Sequence, residues 1–264
     1  ALAFISSKVY GKIFIFEVQG DIFDYPSIVG GRIHSSLVKF VSKVFVKKAD
    51  YIRIVSPFLF EPLDRLEINR KKIFLVPPRC DSTLFNANNV SSKTPENFNK
   101  STINLLFVGN LIISKGVDIL LDAFVLILKE YTNINLIYVG DGEEESTLKA
   151  RSNELGVSDK VIFYGKANYN EIPTIMHYSD ILILPSIEEG VGRVLLEAMS
   201  MKLAIVASNV GGIPLVITNQ VDGLLFEAGD ICKLKDQVLF LIKNKDFSEN
   251  MVEAAYQNYI ANYE

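Results

Sequence analysis

The chain has 264 residues, a length that accommodates two ordinary domains. Hydrophobic residues make up 49% and charged residues 22%, which supplies a sizeable core and excludes a chain disordered throughout. A formal net charge of −4 and a pI of about 5.4 do not suggest a nucleic-acid protein, which usually shows a basic face.

In chain order, residues 1–10 read as the end of a helix, so the chain is expected to begin part-way through a longer protein. No basic segment followed by an apolar run opens it, and no signal peptide is expected. KIFIFEV at 12–18 predicts a strand, and 33–48 predicts an amphipathic helix with Ile33, Leu37, Phe40, Val41 and Val44 on one face. A strand at 51–55, a short helix at 58–66 and a strand at 73–76, ended by Pro77-Pro78, follow. The polar stretch NANNVSSKTPENFNKS, 86–101, has no apolar period and predicts a linker. Beyond it, strands are predicted at 103–108, 135–139, 160–164, 181–184, 203–207 and 223–226. Helices are predicted at 115–130, 144–155, 169–178, 192–201, 213–218, 231–243 and 248–260. Apolar strands alternating with helices predict an α/β fold with a parallel sheet covered on both faces. The expected division is a first domain over 1–86, a linker over 87–101 and a second domain over 102–264.

The apolar stretch at 119–128 is too short to span a membrane and is broken by Asp122. Cys80 and Cys232 are too few for a disulfide framework and read as reduced thiols of a cytosolic protein. His34 and His177 have no partner at metal-ligand spacing.

Ligands of such sheets bind beyond the carboxyl ends of the strands, so the loops there are where chemistry is expected. PSIEEGVGRVLLE, 185–197, joins a strand to a helix through two glycines, Gly190 and Gly192, that allow close backbone approach. The N–H groups of Arg193, Val194 and Leu195 at the helix start suit a phosphate. Glu189 in the loop and Glu197 one turn into the helix can face a ligand from different elements, and a carboxylate can accept from two neighbouring ribose hydroxyls. Taken singly, Glu189 reads equally as a solvated loop acid and Glu197 as a helix-surface acid; the apolar neighbours Leu195, Leu196, Ala198 and Met199 weigh against the latter. GNLIISKG, 109–116, offers Lys115 as a point charge for a phosphate, at a helix start where a cation calls for a compensating anion. Gly140-Asp141-Gly142 lacks the third glycine of a dinucleotide fingerprint and reads as a turn.

The second part resembles the donor domain of retaining glycosyltransferases of family 4, which have the GT-B fold of two Rossmann-like domains with parallel sheets. The motifs are FVGN…SKG (107–116), VGDGEE (139–144), VIFYGK (161–166), SDILILPSIEEGVGRVLLEAMSMKLAIVAS (179–208), GGIP (211–214) and DGLLF (222–226). Glu189 and Glu197 match the family's E-x7-E motif. The first part, through ADYIRIVS (49–56) and VPPRCDSTLF (76–85), is similar to the end of the acceptor-side domain, which is expected to be incomplete here.

The resemblance implies a nucleotide-diphosphate sugar as donor, a glycan, lipid or small molecule as acceptor, and transfer of a hexose with retention. Glu197 would bind the ribose, Lys115 the diphosphate and Glu189, as the catalytic residue, the transferred sugar. Gly109, Asn110 and Gly116 belong to the loop of Lys115. Backbone groups of Gly190, Val191, Gly192, Arg193, Val194 and Leu195 would line the sugar and phosphate site, and Tyr164, Gly165, Lys166 and Ala167 would lie near the base. No metal or other cofactor is implied, nor a nucleic-acid partner. A cytoplasmic place is implied, with peripheral contact of the acceptor domain at the inner face of the membrane left open. Three positions depart from the family: Asn110 for arginine, Leu215 for glutamate, and Gln19 near an expected histidine, so that Gln19, Gly20 and Asp21 are candidates on the acceptor side. Alternatives are a donor-binding remnant without catalysis and a nucleotide-sugar 2-epimerase or phosphorylase of the same fold. An NAD-dependent oxidoreductase is disfavoured by the missing fingerprint.

Overall fold

The computed structural model describes residues 2–18, 31–55, 57–76, 79–87, 90, 94–95, 98 and 101–264, with backbone alone for 2, 31–39 and 58. Gln19, Gly20 and Asp21 lie outside the described residues. The chain divides into two compact units, Ala1–Pro78 and Arg79–Glu264.

In the first unit, α1 (Leu2–Val9), β1 (Ile15–Val18), α2 (Gly31–Lys48), β2 (Tyr51–Ile54), α3 (Phe60–Arg65) and β3 (Ile73–Leu75) follow in order. The strands form a parallel sheet, β1-β2-β3, with Ile15 opposite Tyr51 and Ile52 opposite Ile73. The inward positions, Phe14, Val18, Ile52, Ile54 and Ile73, meet Val46, Leu59 and Leu63 in one core. Asp50 ties the entry of β1 to β2, since its carboxylate accepts from the Phe14 N–H at 2.8 Å.

The second unit carries β4 (Ile103–Val108), α4 (Val117–Leu128), β5 (Ile134–Val139), α5 (Glu145–Glu154), β6 (Val161–Gly165), α6 (Ile172–His177) and β7 (Ile181–Leu184). It continues with α7 (Arg193–Ser200), β8 (Ala204–Ser208), α8 (Ile213–Val216), β9 (Leu224–Phe226), α9 (Ile231–Lys243) and α10 (Lys245–Asn262). All six strands are parallel, in the order β6-β5-β4-β7-β8-β9. Strands such as β7 (ILIL) are buried at every position, as expected of a sheet covered on both faces. On α4 the residues Val117, Leu120, Leu121, Phe124 and Ile127 recur at helical spacing and are all fully buried, so each contributes about 1.5–3 kcal/mol of burial.

The unit boundary falls between Pro78 and Arg79, ahead of the expected linker. Cys80 and Phe85 explain this. Both are buried: Cys80 Sγ lies 3.7 Å from Ser200 Oγ, and the Phe85 ring packs against Tyr169. The helix expected at 169–178 is a 3-10 turn, Tyr169–Glu171, leading into α6, because Pro173 lacks an N–H and fits only the first helical turn. Among the described residues no helix is long and apolar enough to cross a membrane.

Candidate active site

Starting from β4 the chain adds β5 and β6 on one side of the sheet, then returns to place β7, β8 and β9 on the other. The direction reverses between β4 and β7, and the loops leaving their carboxyl ends border the crevice where such sheets bind ligands.

These loops are packed main chain to main chain. The loop after β4 ends in a 3-10 turn, Ile113–Lys115, and Gly116 starts α4 with φ 63°. A Cβ at Gly116 would collide with the Pro185 carbonyl at the start of the loop after β7. The Ile187 N–H donates to the Ser114 carbonyl at 2.9 Å across the same seam. On the other side, a Cβ at Gly211 (φ 54°) would collide with the Glu189 carbonyl. The loop of Glu189 is therefore gripped from both neighbours. Gly116→Ala is expected to destabilise the protein by about 1–3 kcal/mol, from left-handed strain plus the collision. Urea denaturation measures this, and an unchanged midpoint would contradict the packing.

Lys115 and Glu189 meet in this seam. Lys115 Nζ lies 2.7 Å from Glu189 Oε2, with their side chains 25% and 12% exposed. Ser186 Oγ donates to the same oxygen at 3.2 Å, and the Gly190 N–H donates to Oε1 at 3.1 Å. The anion that a cation at a helix start calls for is therefore Glu189, and the two residues expected at different groups of a ligand are partners of each other here.

Glu197 stands on α7 with only 5% of its surface exposed. The Tyr169 hydroxyl donates to its Oε1 at 3.0 Å and Arg193 Nε donates to the same oxygen at 3.2 Å. The Arg193 guanidinium also covers the Tyr169 ring, 5.1 Å from its centroid. Burial pushes the Glu197 carboxyl above its ordinary 4.5, with the charge of Arg193 and the Tyr169 hydrogen bond acting against that rise. Burial and then the Glu197 charge push the Tyr169 phenol up to about 12. A carboxyl raised on folding contributes stability that is complete below 4.5 and is lost as pH climbs through its folded value. Wild type is therefore expected to lose stability relative to Glu197→Gln as pH rises from below 4.5, in melts recorded side by side.

Other expected positions fall as follows. The Gly109 N–H donates to Val139, extending the strand ladder, and Asn110 is exposed. Gly192 adopts φ 71° as the N-cap of α7, and Val191 is buried, so it can offer a ligand only main-chain groups. The Leu195 N–H donates to the Gly192 carbonyl at 2.8 Å, and its side chain is fully buried. Gly190 likewise spends its N–H on Glu189. Arg193 and Val194 remain the candidate main-chain donors. Tyr164 is half-buried with its ring near Phe98, and Gly165 ends β6 with its carbonyl accepting from Gly140. Lys166 is exposed, 3.7 Å from Asp141. The 140–142 segment packs as a turn, with Gly142 so close to the Leu111 carbonyl that a Cβ would collide.

Two residues at the site lay outside the sequence expectations. Ser186, fully buried, was legible only as part of the PSIEEG string, and Tyr169 had no signal beyond a predicted helix start.

The six-stranded parallel sheet carries its charged loops at the switch point, where open sheets of this kind bind their ligands. The chain belongs to the family of glycosyl transferases group 1, whose profile matches residues 91–258, more than half of its length. It is 30% identical over 214 residues to N-acetyl-alpha-D-glucosaminyl L-malate synthase of Bacillus anthracis, covering 81% of this chain and 55% of that protein. It is 29% identical over 163 residues to D-inositol 3-phosphate glycosyltransferase of Segniliparus rotundus, covering 60% and 36%. The chain spans about half or less of the length of these relatives. Among solved structures, HepE of Anabaena in complex with UDP-glucose superposes with a TM-score of 0.84 at 18% identity, over 99% of this chain and 71% of that one. The α/β fold with parallel sheets is thus that of GT-B glycosyltransferase structures.

Proposed function

We propose that this chain binds a nucleoside-diphosphate sugar at the crevice beside β4 and β7, and that the protein to which it belongs transfers the sugar, a hexose, to an acceptor with retention. The observation that carries the reading is Glu197: a buried carboxylate beside a helix N-terminus, held by two donors, at the switch point of the sheet. Glu197 accepts from the ribose. Lys115 and the N–H groups of Arg193 and Val194 take the diphosphate, and Tyr164 to Ala167 flank the base. Glu189 positions the transferred sugar and is not assigned as a nucleophile. Support comes from membership of the glycosyl transferases group 1, from the relative named D-inositol 3-phosphate glycosyltransferase, and from HepE, solved with UDP-glucose.

The transition state of such a transfer places positive charge on the sugar and negative charge on the leaving diphosphate. Preorganised donors aimed at the leaving oxygens supply the main stabilisation. Lys115 and the start of α7 are those donors, and no metal is required. Binding of a diphosphate exchanges the Glu189 partner of Lys115 for phosphate oxygens and frees Glu189 for sugar hydroxyls. The acceptor is a glycan, a lipid or a small molecule, met at the cytoplasmic side. The experiment is a thermal-shift screen of this chain against UDP-, GDP- and ADP-sugars, with a transfer assay on the longer protein beside it. A donor at a hundred times its Kd is expected to stabilise the fold by about 2.7 kcal/mol. A chain stabilised by none of the three overturns the reading. A chain that binds but does not transfer, while the longer protein transfers, marks this segment as the donor-binding part.

A further inference from the structure

We infer that Tyr169 and Arg193 are positioning residues that hold the Glu197 carboxylate by one oxygen, Oε1, and thereby reserve Oε2 for the ribose of the donor. This assignment deepens the donor-binding reading and rests on it. Among the described residues, every hydrogen bond and ion pair to the Glu197 side chain falls on Oε1: Tyr169 Oη at 3.0 Å and Arg193 Nε at 3.2 Å. The two donors arrive from different directions. Arg193 stands one turn earlier on α7 itself, while Tyr169 comes from the 3-10 turn after β6.

The Tyr169 hydroxyl is itself fixed. Its ring is packed against Phe85, with centroids 5.3 Å apart, and is covered by the Arg193 guanidinium at 5.1 Å. Phe85 is 2% exposed and so does not move aside freely. The turn that carries Tyr169 is closed by the Glu171 carboxylate, which accepts from the Asn168 N–H at 2.7 Å. A glutamate side chain turns about three bonds. Two donors on one oxygen fix both the plane and the direction of the carboxylate, and the remaining oxygen points in a set direction before a ligand arrives. That is the preorganisation a hydroxyl-reading acceptor needs.

The groups that face Glu197 are Arg193 on its own helix, Tyr169 from the turn after β6, and the Cys80 thiol from the segment that opens the second unit. Arg193 and Tyr169 favour the ionised carboxylate against burial. Loss of the Tyr169 hydroxyl therefore moves the carboxyl further up, and the acid-side loss of nucleotide affinity begins at a higher pH.

The test uses this chain with UDP, GDP, ADP and their 2′-deoxy and 3′-deoxy counterparts, titrated by calorimetry across pH. Wild type is expected to prefer the ribonucleotide. Tyr169→Phe keeps the ring contacts and is expected to reduce that preference about tenfold, as the loss of one hydrogen bond to a charged group would. It is also expected to leave affinity for the less favoured deoxynucleotide within about twofold and to move the acid limb to higher pH. Arg193→Lys, which keeps the charge and loses the Nε donor, is expected to act in the same direction. Three outcomes overturn the assignment. A Tyr169→Phe chain with the wild-type preference and acid limb shows that the hydroxyl positions nothing. Equal weakening of ribo- and deoxynucleotides in both variants, with a lowered melting temperature, shows a merely structural role. A wild type that binds nucleotides with no preference for the ribonucleotide removes Glu197 from the ribose and overturns the assignment while donor binding itself stands, an outcome recognised before any variant is made.

Discussion

Glu197→Ala is expected to weaken binding of the nucleoside-diphosphate donor by about 2–4 kcal/mol, roughly 30-fold to a thousandfold, while hardly changing the melting temperature. The split follows from where the charge sits. Glu197 is 5% exposed, and folding places its carboxylate in a setting that disfavours ionisation. Its two donors are better solvated: the Arg193 side chain is 56% exposed and Tyr169 is 40% exposed. Removing the carboxylate therefore strands no buried donor, and the fold loses little. The ligand loses an acceptor in a site where water does not easily replace it. Glu197→Gln, which keeps the volume and one acceptor oxygen, is expected to fall between. Calorimetric titration with the nucleotide that stabilises wild type measures both. Undiminished affinity in Glu197→Ala would remove the ribose role.

Lys115→Ala is expected to reduce turnover of the longer protein about 10²- to 10³-fold, the range seen when one preorganised donor to a developing oxyanion is removed. The loss belongs in kcat, because the charge on the diphosphate grows as the sugar leaves. This substitution also affects the fold. It leaves Glu189, 12% exposed, with only Ser186 and the Gly190 N–H, and is expected to lower stability by about 1–3 kcal/mol. Adding Glu189→Ala separates the two effects: the double variant regains stability because no unpaired carboxylate remains, and it does not regain turnover. Normal kcat in Lys115→Ala would end the phosphate role. A rise in KM alone would place Lys115 in ground-state binding.

The strands of the second unit were legible because each is a short, largely apolar run, as in INLLFV and ILIL. Their parallel direction followed from the helices between them. The order of the strands did not, since nothing in the sequence of β4 tells it to take β7 as a neighbour. The partnership of Lys115 with Glu189, 74 residues apart, depends on that order and was hidden with it. Glu197 was legible because a lone acid among Leu195, Leu196, Ala198 and Met199 is out of place on a solvated face. Tyr169 was not, because KANYNE has no apolar period and its partners lie 84 residues before it and 28 after it. The free N–H of Leu195 was expected from the generic open end of a helix. The turn at Gly192 returns the Gly192 carbonyl to it, a matter of local torsion that residue type alone does not fix.

The order β6-β5-β4-β7-β8-β9 also bears on how the site comes into being. The first three strands can zip together through near neighbours, β4 on β5 and β5 on β6. β7 must then travel back past both to reach β4, a long loop closure that is slow relative to local pairing. Lys115 has no Glu189, and Glu197 no Tyr169, until that step is complete. A chain arrested with half its sheet holds a hydrophobic layer and neither of these pairs. Formation of these two pairs therefore reports the return of β7, and it comes later than the first strand signal.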